Sequence, residues 1–368
     1  VIMASINEEL SDRFKTHQIY LLRMDADERR KVLELFSAME KELENELSQI
    51  NRVLRNGSVA DIKNNLTQIL KSDYYKRTLS MIQKTIKTRY AQASDLISAD
   101  LLEIAENETK YTSRALGDAM KLDFSDNILT ENYLRNVVNT AMIDGAPTAE
   151  WWKRQAEKTR LVFEDGIRQG LVKGEGMDDI TRRLFGTAKQ PGMMEKRRKN
   201  AEALVRSSVQ AVTNKTRLET LKRNNDVVKG IQWSSTLDNR TSLFCISMDG
   251  LAWDLDYKPL GHHRQFTPPP AHWNCRSTTT PILKSFRDLG IDTEDIPEST
   301  RASMDGQVPK AEKFGDWLEK KEKKDPGFAN RVLGPGRAEL WRKGKITTSE
   351  LADFRGHVLT IKELKNLD

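Results

Sequence analysis

The stretch 268-PPPAHWNCRSTTTP-281 decides how the middle of this chain folds. Three prolines in a row fix φ and remove backbone donors, so neither a helix nor a central strand passes through them. Directly after them, 276-RSTTTPIL-283 carries the threonines and isoleucine that suit a β-strand. An irregular loop therefore feeds a strand, and the loop holds His272 and Cys275 three positions apart. The only other cysteine among the 368 residues is Cys245, in 241-TSLFCISMDG-250.

Cys245, His262, His263, His272 and Cys275 fall in one window, and sulfur and imidazole nitrogen are the ligands zinc prefers. A structural zinc on Cys245, His263, His272 and Cys275 is one reading; no other cofactor is expected. A packed corner with two small buried thiols is a second reading, and a disulfide a third. Thiol catalysis needs a base and an orienting group, and no protease signature surrounds either cysteine, so no catalytic residue is assigned. Asp238, Asp249, Asp254 and Asp256 admit a carboxylate metal site for a hydrolase. However, 236-TLDNRT-241 and Asp249 before Gly250 have the chemistry of turns.

Working upstream, 229-KGIQWSSTLDNRTSLFC-245 opens as a strand. Before it, 195-EKRRKNAEALVRSSVQAVTNKTRLETLKRN-224 reads as a helix. Its Arg197, Arg198, Lys199, Arg206, Lys215 and Arg217 offer a basic ridge for phosphates without sequence preference; a solvated mixed-charge face is the alternative. Further helices are expected over 130–145, 148–174 and 175–187, and over a tract from Asp61 to Leu122. In the first segment Val32, Leu35, Phe36, Met39, Leu43, Leu47, Ile50 and Leu54 make one apolar stripe. Asp25 or Asp27 would cap that helix and 56-NG-57 would stop it. So narrow a stripe has to pack on another helix, including one from a second copy.

The fold class that follows is mainly α with a small α+β module. Long N-terminal helices and lead-in helices occupy 1–190, a compact module 191–285, and a charged connector with a C-terminal extension 286–368. Charged residues make up 31% of the chain, so long solvated helix faces are expected. Sixty cations face fifty-four anions, a mild basic balance that does not demand nucleic acid. Two cysteines argue against a disulfide scaffold. The start, 1-VIMASI-6 into 7-NEELSDRFK-15, does not read as a signal peptide, and no apolar run reaches a membrane span; a soluble chain made in the cytoplasm is expected. A Walker A motif and a dinucleotide fingerprint are both missing.

Residues 195–285 resemble the phage head morphogenesis family typified by the F protein of phage Mu. The resemblance rests on an ordered series. It runs from the helix 203-ALVRSSVQAVTNKTR-217 through Trp233, Asp238, Arg240, Thr241 and Cys245 to 249-DG-250. It closes with His272, Trp273, Cys275 and Arg276 in the proline-led ending. The segment 166–184 is similar to the family's lead-in, and 332–347 with 358–364 to its C-terminal extension. Many relatives have a second cysteine soon after the first or after the final arginine, whereas in this chain Ser277 follows Arg276. The resemblance implies a minor structural protein of the virion, present in the host cytoplasm during assembly and not an enzyme. It would associate with the portal and other head proteins, and would act in head morphogenesis and DNA packaging or ejection, with non-specific contact to packaged double-stranded DNA. The rival readings are a metal-dependent hydrolase acting on nucleic acid or cell wall, and a stand-alone DNA-binding protein.

Overall fold

The computed structural model describes residues 2–54, 71–285, 300–303, 306–309 and 312–367. Eleven α-helices and small antiparallel sheets are found among them. The first helix, α1 (Ile2–Leu54), runs unbroken past the cap expected near Asp25. Asp25 is buried, and its carboxylate accepts from Arg29 at 2.9 Å, one turn later. An i,i+4 ion pair of this kind favours continuing a helix over starting one. The expected stop at residues 56–57 lies outside the described residues, as do the first ten residues of the expected second tract.

Helix α2 (Asp73–Met120) follows, then α3 (Glu131–Thr140). Asp144 and Gly145 both take positive φ and turn the chain into a tight hairpin between β1 (Met142–Ile143) and β2 (Ala146–Pro147). Asp-Gly is the pair that such a turn requires, and it ends the helix earlier than the apolar pattern over 130–145 suggests. Helix α4 (Thr148–Lys173) stops where Gly174 goes left-handed and donates back to the Gly170 and Leu171 carbonyls. Helices α5 (Met177–Phe185) and α6 (Met193–Arg223) complete the helical part before the sheet.

The main sheet has four antiparallel strands in the order β5-β4-β3-β6. They are β3 (Val228–Ser234), β4 (Ala252–Asp254), β5 (Pro259–Leu260) and β6 (Thr278–Leu283). The central strand β3 pairs with β4 on one side, Ile231 opposite Trp253, and with β6 on the other, Trp233 opposite Thr279. Gly230 permits the close approach, because a Cβ there would sit 2.2 Å from the Trp253 carbonyl oxygen. The short α7 (Leu243–Met248), β4 and β5 occupy the stretch that the sequence leaves irregular. A hairpin of β7 (Thr300–Ser303) and β8 (Gly306–Pro309) follows. Helices α8 (Phe314–Lys324), α9 (Phe328–Leu333), α10 (Pro335–Arg342) and α11 (Ile361–Leu364) come last.

The chain forms two compact units, each built from separated stretches. One holds residues 24–102 and 139–208, the other 1–23, 103–138 and 209–368. In the first, Phe36 meets Tyr90 edge-on at 4.9 Å and Tyr90 meets Trp152 at 6.2 Å, within a helix-on-helix core. In the second, Leu10, Phe14, Leu116, Leu221, Ile231, Trp233, Trp253 and both cysteines share one core. The C-terminal helices add another core in that unit, where Phe314, Trp317, Phe328 and Leu351 close over Leu237 and Ile246. No described helix is long and apolar enough to cross a membrane.

Candidate functional site

The two cysteines, 30 positions apart, meet in three dimensions. Cys245 stands on α7, a helix started by Ser242, whose hydroxyl accepts from the Cys245 backbone N–H. Cys275 follows His272 in the loop that enters β6. Asn274 adopts a φ of 59° between them, turning the loop back on itself. Cys245 Sγ lies 3.8 Å from Cys275 Sγ and 3.2 Å from His272 Nε2. Both sulfurs are free thiols and buried. The other ring nitrogen, Nδ1, lies 3.0 Å from the Trp273 carbonyl oxygen, and Ser242 Oγ lies 2.8 Å from Nε2.

The thiols share their charge unequally. The hydrogen bond from Cys245, with His272 beside it, holds the Cys275 thiol well below its ordinary value. The same bond and burial push Cys245 well above its own. Cys275 in turn raises the His272 imidazole. A sulfur pair and an imidazole so placed are chemically able to hold a soft metal ion or to oxidise to a disulfide. Buried sulfurs are poorly placed to attack a substrate.

Beside the thiols, Asp238 accepts from both Arg276 guanidinium nitrogens, from the Arg240 backbone N–H at 2.9 Å and from the Thr241 hydroxyl at 3.1 Å. Asp249 accepts from the Ser235 backbone N–H at 2.8 Å and from Phe314 N–H at 3.0 Å, fastening α8 to the sheet. Gly250 follows with a φ of 79°. Trp233 is buried, donating to Ser235 Oγ at 3.0 Å, and Ser235 donates to the Cys245 carbonyl. Trp273 is half-buried. Asp254 accepts from the N–H groups of Asp256 and Lys258, which is turn chemistry. These aspartates are occupied by internal bonds and do not converge on a cation.

His263 is exposed and lies outside the thiol cluster, which among the described residues contains Cys245, His272 and Cys275 alone. Its neighbour His262 is pinned elsewhere, with Nε2 2.7 Å from the Ala252 carbonyl and its ring edge-on to Trp253 at 4.8 Å. Nor do the six α6 cations form the exposed ridge expected for DNA. Arg197 and Arg217 are buried, Arg198 pairs with Glu40, and Arg206 lies 3.6 Å from Asp25. Burial lowers Lys215, and Lys199, the exposed one, pairs with Glu195 at 3.1 Å. The cause is that α6 is an interior helix, whose cations must find carboxylates within the fold.

Residues 162–280 match the family model described as Phage Mu protein F like protein. That stretch is similar to the Mu F-like phage head family. The match runs from within α4 to β6, taking in α5, α6, the sheet centre and the thiol corner. No curated protein and no solved structure matched the chain.

The matched region also contains a buried polar seam that the sequence reading missed. Along α6, Ser207, Ser208, Gln210, Thr213, Asn214, Thr216, Arg217 and Thr220 are all fully buried, as is Asn224 just past its end. Arg217 pairs with Glu108 of α2 at 2.7 Å, reaches Thr278 Oγ1 of β6, and lies over the Phe14 ring at 4.9 Å. Glu108 takes a second contact from His17 of α1 at 2.7 Å. One signal for this was available. In a chain that is 31% charged, 207-SSVQAVTN-214 has no charge at all, which an exposed helix face would not show.

Proposed function

We propose that this chain is a minor structural protein of a phage head, docked at the portal, which acts in head assembly and DNA packaging or delivery. The observation that carries the proposal is the Mu F-like match over residues 162–280. Partners are then the portal and other head proteins, and the destination is the virion. The mode of action is association without turnover. In support, Asp238, Asp249 and Asp254 are committed to internal hydrogen bonds, which weighs against a hydrolase built on them. Buried or paired cations along α6 favour a role in protein packing over DNA binding.

Co-expression with the portal protein of the same phage tests this reading. The expected result is a complex that survives size-exclusion chromatography at 0.5 M salt. Two results oppose it: no portal complex at any salt, or divalent-dependent cleavage of nucleic acid or peptidoglycan by the purified chain.

A further inference from the structure

The thiol corner has the dimensions of a metal site. A tetrahedral zinc ion with Zn–S bonds of about 2.3 Å holds its two sulfurs about 3.8 Å apart, and the Cys245 and Cys275 Sγ atoms are 3.8 Å apart. An imidazole nitrogen bound at about 2.0 Å in the same tetrahedron lies about 3.5 Å from each sulfur. His272 Nε2 is 3.2 Å from Cys245 Sγ, and the three donor atoms all lie within 4.8 Å of one another. The imidazole is also turned correctly. A carbonyl oxygen only accepts, so Nδ1, 3.0 Å from the Trp273 oxygen, carries a proton. That leaves the Nε2 lone pair facing the sulfurs, as in histidines that ligate a metal through one nitrogen and donate from the other.

We infer that Cys245 Sγ, His272 Nε2 and Cys275 Sγ bind one zinc ion, with an oxygen in the fourth position. The protein oxygen already at Nε2 is Ser242 Oγ, at 2.8 Å; water is the other source. Two thiolates and one imidazole favour zinc over magnesium or calcium, which take oxygen ligands. The ion ties α7 to the loop entering β6, two segments 30 positions apart in the chain. This inference is independent of the portal reading. A disulfide is the competing use of the same sulfurs, but it requires them to close to about 2.05 Å and gives His272 no part.

The test uses the full-length chain, purified in reducing buffer without chelator. Elemental analysis is expected to find one zinc per chain. The chelated chain, titrated with cobalt(II), is expected to show thiolate-to-metal charge-transfer absorption and the visible bands of a tetrahedral site. His272→Ala and Cys275→Ser should weaken zinc binding by at least about tenfold, the lower end of the loss seen when even an outer partner of a metal ligand is removed. His263→Ala should keep the metal. If the substituted chains misfold, the cobalt titration of the unaltered chain still decides. Failure of that chain to take up either metal would overturn the assignment. So would release of zinc by His263→Ala, or a Cys245–Cys275 disulfide found by thiol trapping in the freshly purified chain.

Discussion

Asp238 gathers four donors at one carboxylate, from Arg276, Arg240 and Thr241. Asp238→Asn removes the charge but keeps the shape, leaving the half-buried Arg276 without its counter-charge. The expected cost is about 2–4 kcal/mol, toward the lower end of what breaking a buried pair does, read from urea unfolding. Burial pushes the Asp238 carboxyl up, but Arg276, the Arg240 N–H and the Thr241 hydroxyl outweigh it, and the net shift is downward. A carboxyl held low in the folded state stabilises fully above its unfolded value and loses that contribution as pH falls through the folded value. The stability gap between wild type and Asp238→Asn should therefore be widest near neutral pH and shrink in the acid range; a gap constant from pH 7 to pH 3 would contradict the pairing. At this scale the sequence was partly legible. The residue types at Asp238, Asp249, Cys245 and Cys275 announce turns and a sulfur corner. The direction of each histidine does not follow from spacing, because His262 is taken by the Ala252 carbonyl of a strand too short to read.

Helix α6 sets the lesson for elements. Its ends and length follow from composition, but the extent of its burial does not: beside the apolar Leu204, Val205, Val209, Val212, Leu218 and Leu221 it carries many polar and charged residues, which read as a solvated face. It is interior because its hydroxyls, amides and Arg217 find partners on α1, α2 and β6. The Glu108 carboxyl shows the balance: burial pushes it up, and Arg217 with His17 brings it down overall. Glu108→Ala should cost about 3–5 kcal/mol, because it strands a fully buried guanidinium. Replacing both partners, Glu108→Leu with Arg217→Met, should cost clearly less than the two single changes added together. Denaturant midpoints of the singles and the double measure this, and simple additivity would show that the pair is not coupled. The short elements α7, β4 and β5 were illegible for another reason. They are held by the core around Trp233 and Trp253 and by the hydrogen bonds of Asp249, so local propensity leaves little trace of them.

For the whole molecule, the mainly α class and the strand pair around the sulfur corner could be read from periodicity and from the threonine-rich run. The two discontinuous units could not, because which helices meet is decided by side chains up to about two hundred positions apart, as with Gln18 and Gln210. The proposed role is one of holding and docking rather than turnover. The claim that this chain is a portal-docked head component meets its most direct test in particles. Heads purified from the phage with its portal gene intact, and from a portal-deleted strain, should be compared by quantitative mass spectrometry. The account predicts the chain in intact heads at a few copies per head against hundreds of major capsid subunits, and its loss from portal-deleted heads. A chain missing from intact heads, or retained unchanged without the portal, would contradict it.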